Sequence, residues 1–438
     1  MKNLRLILFC LAGTLALLCG CSKEKEMPED NQANHGPLAI METENGYYYN
    51  WGYAIYSDEE NASNTSMKYK NQLRYNDKEN GDTILVCNKP ECEHNGSDSC
   101  TATYKNIMVI NSILYNDEIY VYGVEEDGTI IRFILYRIKP DGSAIDKVGT
   151  VFECENTLGE GYTIVVPTLS SIPEPFIIHK GFAYLPYFIR IGKASRGFMG
   201  GGLMQMDITT GESKSIYEME FMTSDFPHNL RACGDYVYIF MKAPHSMGGD
   251  MRYIISEDRM EQPNPEWKMT FDVITPNRLY NVSNSYNPET QTTGFISITS
   301  YDSATGAWID AEYFETDILG DPYDIPVSFP YKDTIVICTD DRVAFYGIGE
   351  ENYGEKLGEI FFESGARIKG YNREPTLEFK INNDTLYRIC TPIVTENTTP
   401  LPNIPDFYMP YEVYSCPVED ILNGTGQWEL AFSYEEVK

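Results

Sequence analysis

The stretch from Ile113 to Phe152 reads ILYNDEIYVYGVEEDGTIIRFILYRIKPDGSAIDKVGTVF, and the fold prediction starts from it. Apolar and aromatic residues alternate with polar ones in successive short runs, which is the pattern of half-buried strands. Asn116-Asp117 and Asp141-Gly142 separate neighbouring runs and are typical of tight hairpin turns. A set of short antiparallel strands cannot bury its apolar faces alone, so this unit needs neighbours of the same kind.

Shorter copies of this unit recur towards the C-terminus. They share a turn, an apolar residue and a tyrosine, and the turns begin at Asn116, Lys180, Gly234 and Asn383. The tyrosine offers a large apolar face to bury and a hydroxyl that can hydrogen-bond at an edge. The interval between Gly234 and Lys332 is 98 positions, against 54 between Lys180 and Gly234. The longer interval is therefore predicted to hold two units, the second starting at Arg278.

Two hairpins make one four-stranded unit, and such a unit is the blade of a β-propeller. The sequence therefore predicts an all-β fold, a β-propeller of about seven four-stranded blades, with six or eight as the alternatives. Helical periodicity is sparse, and only Val418–Leu422 is expected to form one short turn of helix. Two smaller β domains divided near Gly248–Pro265 are the alternative to a single propeller.

The first residues have the pattern of an export signal. Lys2 and Arg5 precede an apolar run from Leu6 to Leu18 that is too short for a permanent transmembrane helix. The run ends in Leu18-Cys19-Gly20-Cys21, which resembles the bacterial lipobox. That resemblance implies that Cys21 is acylated and becomes the mature N-terminus. An ordinary secretory signal cleaved elsewhere, with Cys21 incidental, is the weaker alternative.

These features predict a division of the chain into three parts. The segment after Cys21 is polar, charged and without periodicity, which is typical of a flexible stalk. The predicted parts are a lipoprotein signal peptide over 1–20, a lipid-anchored stalk over 21–36 and the β-propeller domain over 37–438.

The net charge of the chain restricts the kinds of molecule that it is expected to bind. The chain has 65 acidic and 34 basic residues, for a formal net charge of -31. Such a negative charge argues against nucleic acid or an anionic membrane surface as the ligand. Attachment to the cell membrane is therefore expected through the lipid, on the extracytoplasmic face. The ligands expected there are an extracellular glycan, a peptide or a protein.

The cluster of residues best suited to bind a metal is a short cysteine-rich segment. Cys87, Cys92, His94 and Cys100 fall within fourteen residues, in a turn-rich stretch that follows a predicted strand. Three thiols and one imidazole are the ligand set of a Cys3His structural zinc site, although C-x4-C-x-H-x5-C is not a standard zinc-finger spacing. A disulfide between two of the cysteines, or three reduced thiols, are the alternatives in an exported protein. Zinc is the one cofactor that the sequence suggests.

Common catalytic patterns are missing. There is no G-x-S-x-G elbow and no H-E-x-x-H, and Gly200-Gly201-Gly202 lacks the lysine of a phosphate-binding loop. The three glycines are therefore interpreted as a flexible loop. Asp207-Ile-Thr-Thr-Gly211 is interpreted as turn chemistry, and no pair of acids stands out as a glycosidase pair.

The lipobox, the acidic stalk, the tyrosine-rich units and the segment Cys87–Cys100 together resemble the cell-surface β-propeller lipoproteins of Gram-positive gut-type anaerobes. The propellers of those proteins are similar to TolB and to the propeller of low-density-lipoprotein-receptor-like proteins. The resemblance implies a fold and a location. Activity in that family is generally unassigned, so no catalytic residue follows from it.

Two functions remain open from the sequence. The favoured one is a ligand-binding or protein-interaction scaffold, with tyrosines and long loops such as Arg196–Leu203 and Glu396–Tyr411 forming a platform on one face. The alternative is a carbohydrate-active hydrolase or lyase that uses carboxylates on the propeller face. A non-enzymatic role is favoured because nucleophile and cofactor signatures are missing.

Overall fold

The computed structural model describes residues 41–55, 68–94, 100–105, 107–127, 130–155, 164–165, 176–191, 198–218, 226–242, 251–261, 273–274, 278–287, 292–302, 308–315, 327–339, 341–349, 351–362, 378–382, 384–390 and 412–433. The predicted signal peptide, Cys21, the stalk and the segment Glu396–Tyr411 lie outside these residues. In the described part of the chain, no helix is long and apolar enough to cross a lipid bilayer.

Within those residues, thirty strands form seven antiparallel sheets, and each sheet consists of strands that follow one another in the chain. Sheet 1 contains β1 (Met41–Glu42), β2 (Gly46–Ile55), β3 (Lys68–Asp77), β4 (Thr83–Leu85) and β5 (Thr103–Lys105). Sheet 2 contains β6 (Ile107–Tyr115), β7 (Glu118–Asp127), β8 (Ile130–Ile138) and β9 (Ile145–Glu155). Sheet 3 contains β10 (Ile164–Val165), β11 (Ile177–His179), β12 (Phe182–Ile191), β13 (Phe198–Asp207) and β14 (Ser213–Glu218).

The remaining four sheets have four strands each. Sheet 4 contains β15 (Phe226–Cys233), β16 (Tyr236–Lys242), β17 (Met251–Ile254) and β18 (Arg259–Glu261). Sheet 5 contains β19 (Val273–Ile274), β20 (Arg278–Asn287), β21 (Thr292–Asp302) and β22 (Trp308–Glu315). Sheet 6 contains β23 (Val327–Tyr331), β24 (Thr334–Cys338), β25 (Arg342–Gly347) and β26 (Lys356–Phe361). Sheet 7 contains β27 (Glu378–Asn382), β28 (Thr385–Cys390), β29 (Glu412–Pro417), the helix α1 (Val418–Leu422) and β30 (Glu429–Ser433).

This arrangement confirms the predicted all-β class and the predicted β-propeller, and the number of sheets lies inside the predicted range of six to eight. Sheets 1 and 3 also have four strand positions, because β4 and β5 both pair with β3, and β10 and β11 both pair with β12. The interval predicted to hold two units holds sheets 4 and 5, with β20 beginning at Arg278. The predicted turn of helix is α1.

Hairpin turns follow the chemistry that the sequence indicates. Asn116 and Asp117 both have positive φ, at 49° and 58°, and so do Lys180 and Gly181, at 50° and 79°. Positive φ at both central residues is the requirement of a type I′ turn, whose twist matches that of the strands it joins. In the turn Asp207–Gly211, the carboxylate of Asp207 accepts hydrogen bonds from the backbone N–H groups two and three residues later, at 2.7 and 3.0 Å. This confirms Asp207–Gly211 as a turn.

The apolar core lies between neighbouring sheets. One cluster joins sheets 1 and 2, a second joins sheets 2 and 3, a third joins sheets 3 and 4, and a fourth joins sheets 6 and 7. Fully buried side chains such as Leu135, Leu185 and Val237 come from the middle strands of their sheets. The tyrosines of the recurring units are buried as well: Tyr120, Tyr184, Tyr238 and Tyr387. Each sheet thus buries the apolar face that it could not bury alone.

The first and last sheets contact each other through two tyrosines. The rings of Tyr47 in sheet 1 and Tyr387 in sheet 7 lie 6.0 Å apart between centroids in an edge-to-face arrangement. Glu42 is nearby and pairs with Lys78 at 2.7 Å. Burial, followed by the neighbouring Glu42, raises the pKa of Tyr387 well above its ordinary value. In the part of the chain that the structure describes, each of these two sheets is built from its own end of the chain, and the two tyrosines join them by side-chain packing.

The glycines Gly200–Gly202 do not form the flexible loop that the sequence suggested. They lie in β13, where they pair with Ile189, Phe188 and Tyr187 of β12. A Cβ atom on Gly202 would lie 2.9 Å from the ring of Tyr187 and 2.4 Å from the carbonyl oxygen of Tyr217. The missing side chains make room for an aromatic residue beside the strand. The prediction of a loop over Arg196–Leu203 is also wrong, because strand β13 begins at Phe198.

A double-mutant cycle can test the contact between the two ends of the chain. Tyr47→Leu and Tyr387→Leu should each lower the free energy of unfolding, and their effects should be coupled by about 0.5–1.5 kcal/mol because edge-to-face pairs contribute that much. Denaturant unfolding of the two single variants and the double variant measures this coupling. The control pair is Tyr47→Leu with Tyr184→Leu in sheet 3, which should be additive within about 0.5 kcal/mol. Additive effects for Tyr47 and Tyr387 would contradict the contact.

Candidate metal centre

The cysteine segment, residues 86–102, interrupts the outer strand of sheet 1. β4 pairs with β3 up to Arg74, and β5 resumes the pairing at Gln72. Leu73, between them, bonds to both ends of the segment: its carbonyl accepts from the N–H of Val86 at 3.0 Å, and its N–H donates to Ala102 at 2.7 Å. The segment is therefore a long insertion into one strand, and both of its ends are held at a single buried residue.

The four predicted ligands come together at this insertion. The sulfur atoms of Cys87, Cys92 and Cys100 and a ring nitrogen of His94 all lie within 4.8 Å of one another. His94 Nδ1 is 3.7 Å from Cys100 Sγ, and the three cysteines are free thiols in the structure. Cys100 is buried, and the other three ligands are half-buried. The structure thus places all four sequence-predicted residues in one group.

Backbone and hydroxyl groups around this cluster are arranged to bind sulfur. Burial acts to raise the pKa of Cys87, but hydrogen bonds from Thr101, from the backbone of Lys89 and from Cys92 outweigh it and lower this pKa to about 6. For Cys92, a hydrogen bond from the backbone of His94 acts to lower the pKa. Burial and the thiols of Cys100 and Cys87 outweigh that hydrogen bond, so the pKa is raised. Once one of these adjacent thiols is ionised, its negative charge makes ionisation of the next thiol less favourable.

The two ends of the segment are fastened by threonine hydroxyls. Thr101 Oγ1 lies 2.9 Å from the carbonyl oxygen of Val86 and 2.9 Å from that of Gly142, and its one proton can be donated to one of these carbonyls or to the sulfur of Cys87 at a time. Thr103 Oγ1 donates to the carbonyl of His94 at 3.1 Å. His94 has a φ of 51°, a conformation that few side chains adopt. These contacts hold the backbone of two ligands in place.

The other side of the cluster contacts the next sheet. The turn from Lys139 to Ala144, which joins β8 to β9, lies against the cysteine segment, and the N–H of Asn88 donates to Gly142 at 3.4 Å. A Cβ atom on Gly142 would lie 2.8 Å from the backbone nitrogen and Cα of Cys87. Gly142 also has a φ of 69°, which favours glycine. The candidate centre therefore lies at the junction of sheets 1 and 2.

The same kind of junction recurs along the chain. The turn after the third strand of sheet 3 contains Gly211, where a Cβ atom would lie 2.1 Å from the carbonyl oxygen of Val148 in β9. In sheet 4 the corresponding turn contains Asp258, which pairs with Lys214 of β14 at 2.6 Å. In each case the turn contacts the fourth strand of the preceding sheet. The junction of sheets 1 and 2 is thus an example of a repeated contact into which the ligand-bearing segment has been inserted.

The sequence predicted the four residues of the cluster but not the residues that support them. Leu73, Thr101 and Gly142 lie outside the cysteine pattern or on another sheet, and no local signal connects them to it. The Asp141-Gly142 pair predicted a turn, but only the packing of two sheets brings that turn to Cys87.

The predicted binding platform is only partly described. One of its two named loops is strand β13, and the other lies outside the described residues. The carboxyl groups in the described residues whose pKa is shifted all have it lowered: Glu118, Asp141, Asp258, Glu261 and Asp384. For Asp258, hydrogen bonds from Lys214 and then Tyr253 lower the pKa. A glycosidase acid needs the opposite shift, so these five carboxylates have the character of structural ion pairs and turn acceptors.

The contact between Gly142 and the cysteine segment predicts a specific loss of stability. Gly142→Ala should lower the free energy of unfolding by about 1–3 kcal/mol more than Gly181→Ala, because overpacking against backbone atoms is added to the shared cost of positive φ. Gly181 is the matched control: its φ is 79°, and a Cβ atom there would meet nothing within 4 Å. Denaturant unfolding measures both variants. Equal losses would mean that the turn and the cysteine segment are not in contact.

No protein-family model matches this chain, and no curated protein matches it. Solved structures that overlap it include the β-propeller domain of the Trilobed protease from Pyrococcus furiosus, at 9% identity over 92% of this chain and 98% of that chain, with a TM-score of 0.42. The α-L-arabinofuranosidase Arb93A from Fusarium graminearum overlaps at 10% identity over 90% and 99%, with a TM-score of 0.35. An α-L-arabinanase from Penicillium chrysogenum overlaps at 8% identity over 89% and 99%, with a TM-score of 0.33. Overlap this distant carries no information about substrate or activity.

Proposed function

We propose that this chain is a lipid-anchored β-propeller on the extracytoplasmic face of the cell membrane, where it acts as a ligand-binding or protein-interaction scaffold. The observation that carries the proposal is a repeated contact between consecutive sheets in which their backbones approach closely. It is seen where Gly142 and Gly211 lie against the preceding sheet. Contacts of this kind give a stiff support from which connecting segments can present side chains, and recognition usually lies on such segments. The lipobox at Leu18–Cys21 supports the location.

The net charge of the chain supports the proposed membrane-anchored scaffold and restricts the kind of ligand that it can bind. The formal net charge of -31 keeps the body of the protein away from anionic headgroups, so the proposed anchor is the acyl chain on Cys21. The same charge favours neutral or basic ligands over sulfated or phosphorylated ones. In the described residues, Glu118 illustrates how acids are used: burial raises its pKa, and Lys139 and Arg137 more than compensate and lower it. That acid therefore has the character of a structural ion-pair partner of Lys139 and Arg137.

The anchor can be tested by metabolic labelling with a fatty-acid probe. Wild-type chain should be labelled and found in the membrane fraction, and Cys21→Ala should lose the label because the acylated thiol is gone. Cys19→Ala is the matched control, since it removes a neighbouring cysteine of the same segment and should keep the label. Labelling that persists in Cys21→Ala would contradict lipid attachment at this residue.

The binding role can be tested with the full chain solubilised in detergent and applied to glycan and peptide arrays. Neutral or basic ligands should be retained without being converted, because the proposed role is recognition and the surface is acidic. Cys21→Ala should bind the same ligands as the wild type, since the lipid is not part of the ligand surface, and detergent alone is the blank. Mass spectrometry of each retained ligand detects turnover. Release of a hydrolysed or eliminated product would favour the carbohydrate-active alternative.

A further inference from the structure

We propose that Cys87, Cys92, His94 and Cys100 bind one Zn²⁺ ion in a closed structural site, and that this ion fastens sheet 1 to sheet 2. The proposal does not depend on the ligand-binding role of the propeller, and its test uses different measurements. It rests on the convergence of the four side chains and on the position of that convergence at a sheet junction.

The distances fit tetrahedral zinc. Zinc–sulfur bonds of about 2.3 Å and zinc–nitrogen bonds of about 2.0–2.1 Å place tetrahedral ligand atoms about 3.5–3.8 Å apart. His94 Nδ1 and Cys100 Sγ are 3.7 Å apart, and all four ligand atoms lie within 4.8 Å of one another. Small side-chain rotations would therefore bring every ligand to bonding distance. Three sulfurs and one imidazole also match the preference of zinc for soft and borderline donors.

The number of ligands makes the site structural. Four protein ligands fill the coordination sphere of Zn²⁺ and leave no position for water or substrate. Each cysteine that coordinates the ion loses its proton to solvent, so binding releases protons and weakens as the pH falls. Zinc in such a site stabilises the fold because the unfolded chain does not hold these ligands together.

A disulfide explains the arrangement less well. It would bond two of the three sulfurs and leave the third thiol and His94 Nδ1 beside it without a role. The backbone of His94 is in the left-handed region, with a φ of 51°, and its carbonyl is held by Thr103. Its ring nitrogen Nδ1 lies 3.7 Å from Cys100 Sγ. Contacts that fix the backbone of a ligand residue, as Thr103 does for His94, are what a metal site requires.

Fastening of the two sheets follows from the position of Cys87. This residue directly follows Val86, which is bonded to Leu73 of sheet 1, and its backbone contacts Gly142 of sheet 2. Cys100 lies next to Thr101, whose hydroxyl reaches the carbonyl of Gly142. An ion that links Cys87 to Cys100 therefore holds both ends of the cysteine segment against the same turn.

The first test is the metal content of the full chain, purified from membranes in detergent without a chelator. Mass spectrometry of the elements should find about one zinc per chain. Cys92→Ser and His94→Ala should each lose most of it, whereas Cys154→Ser should keep it, because Cys154 is a free cysteine of β9 outside the cluster. Zinc that stays in both ligand variants would overturn the site. A chain without zinc that shows a disulfide among Cys87, Cys92 and Cys100 in non-reducing peptide mapping would also overturn it.

The second test uses the wild-type chain, so it does not depend on variants that fold. Replacement of zinc by Co²⁺ should produce the visible absorption of tetrahedral cobalt together with thiolate-to-cobalt charge transfer. An octahedral, thiolate-free spectrum would overturn the ligand set.

The fastening itself can be followed by hydrogen–deuterium exchange before and after removal of zinc. Peptides that cover 86–102 in sheet 1 and 139–144 in sheet 2 should exchange faster without the ion, because the contacts at Leu73 and Gly142 loosen. Peptides that cover 334–347 in sheet 6 should be unchanged and serve as the internal control. Bound zinc whose removal leaves 139–144 unaffected would refute the fastening of the two sheets.

Discussion

The structure depends on one repeated contact, in which the turn after the third strand of a sheet lies against the fourth strand of the sheet before it, or against the segment inserted into that strand. Gly142 and Gly211 make this contact through backbone atoms, and a methyl group at either position would collide with the preceding sheet. In sheet 7 the helix α1 takes the place of the turn, and a Cβ atom on Gly358 of sheet 6 would lie 2.7 Å from the carbonyl oxygen of Ile421. At these three junctions the backbones approach closely, and an apolar cluster lies between the same sheets.

The cysteine segment lies at the first of these contacts, the junction of sheets 1 and 2. An insertion of this length in an outer strand would ordinarily weaken the edge of a sheet, since it interrupts the ladder at Leu73. Here both ends return to Leu73, and Thr101 links them to Gly142. Four potential metal ligands lie between those two fixed ends. The proposed zinc ion would thus link the inserted residues to one another, while the backbone of Leu73 completes the strand pairing at both ends.

Closure between the first and last sheets uses a different interaction. Tyr47 and Tyr387 meet edge to face, and burial raises the pKa of both hydroxyls, so both rings remain neutral in the folded state. Among the described residues no strand is shared by these two sheets, and this side-chain contact joins them. A tyrosine also joins two neighbouring sheets elsewhere: the hydroxyl of Tyr122 in sheet 2 donates to the carbonyl of Pro186 in sheet 3 at 2.8 Å.

The sequence by itself determined the elements and their chemistry. Alternating residues and turn pairs such as Asn116-Asp117 predicted the strands and hairpins, because period-two patterns and positive φ are local properties of a chain. The cysteine spacing likewise marked Cys87, Cys92, His94 and Cys100 as a group. Tertiary structure alone decided that Gly200–Gly202 form a strand, where they pair with β12 and the ring of Tyr187 lies against Gly202. It also decided that Gly142, more than forty residues after Cys100, lies against the cysteine segment, because contacts between sheets depend on packing that no local pattern encodes.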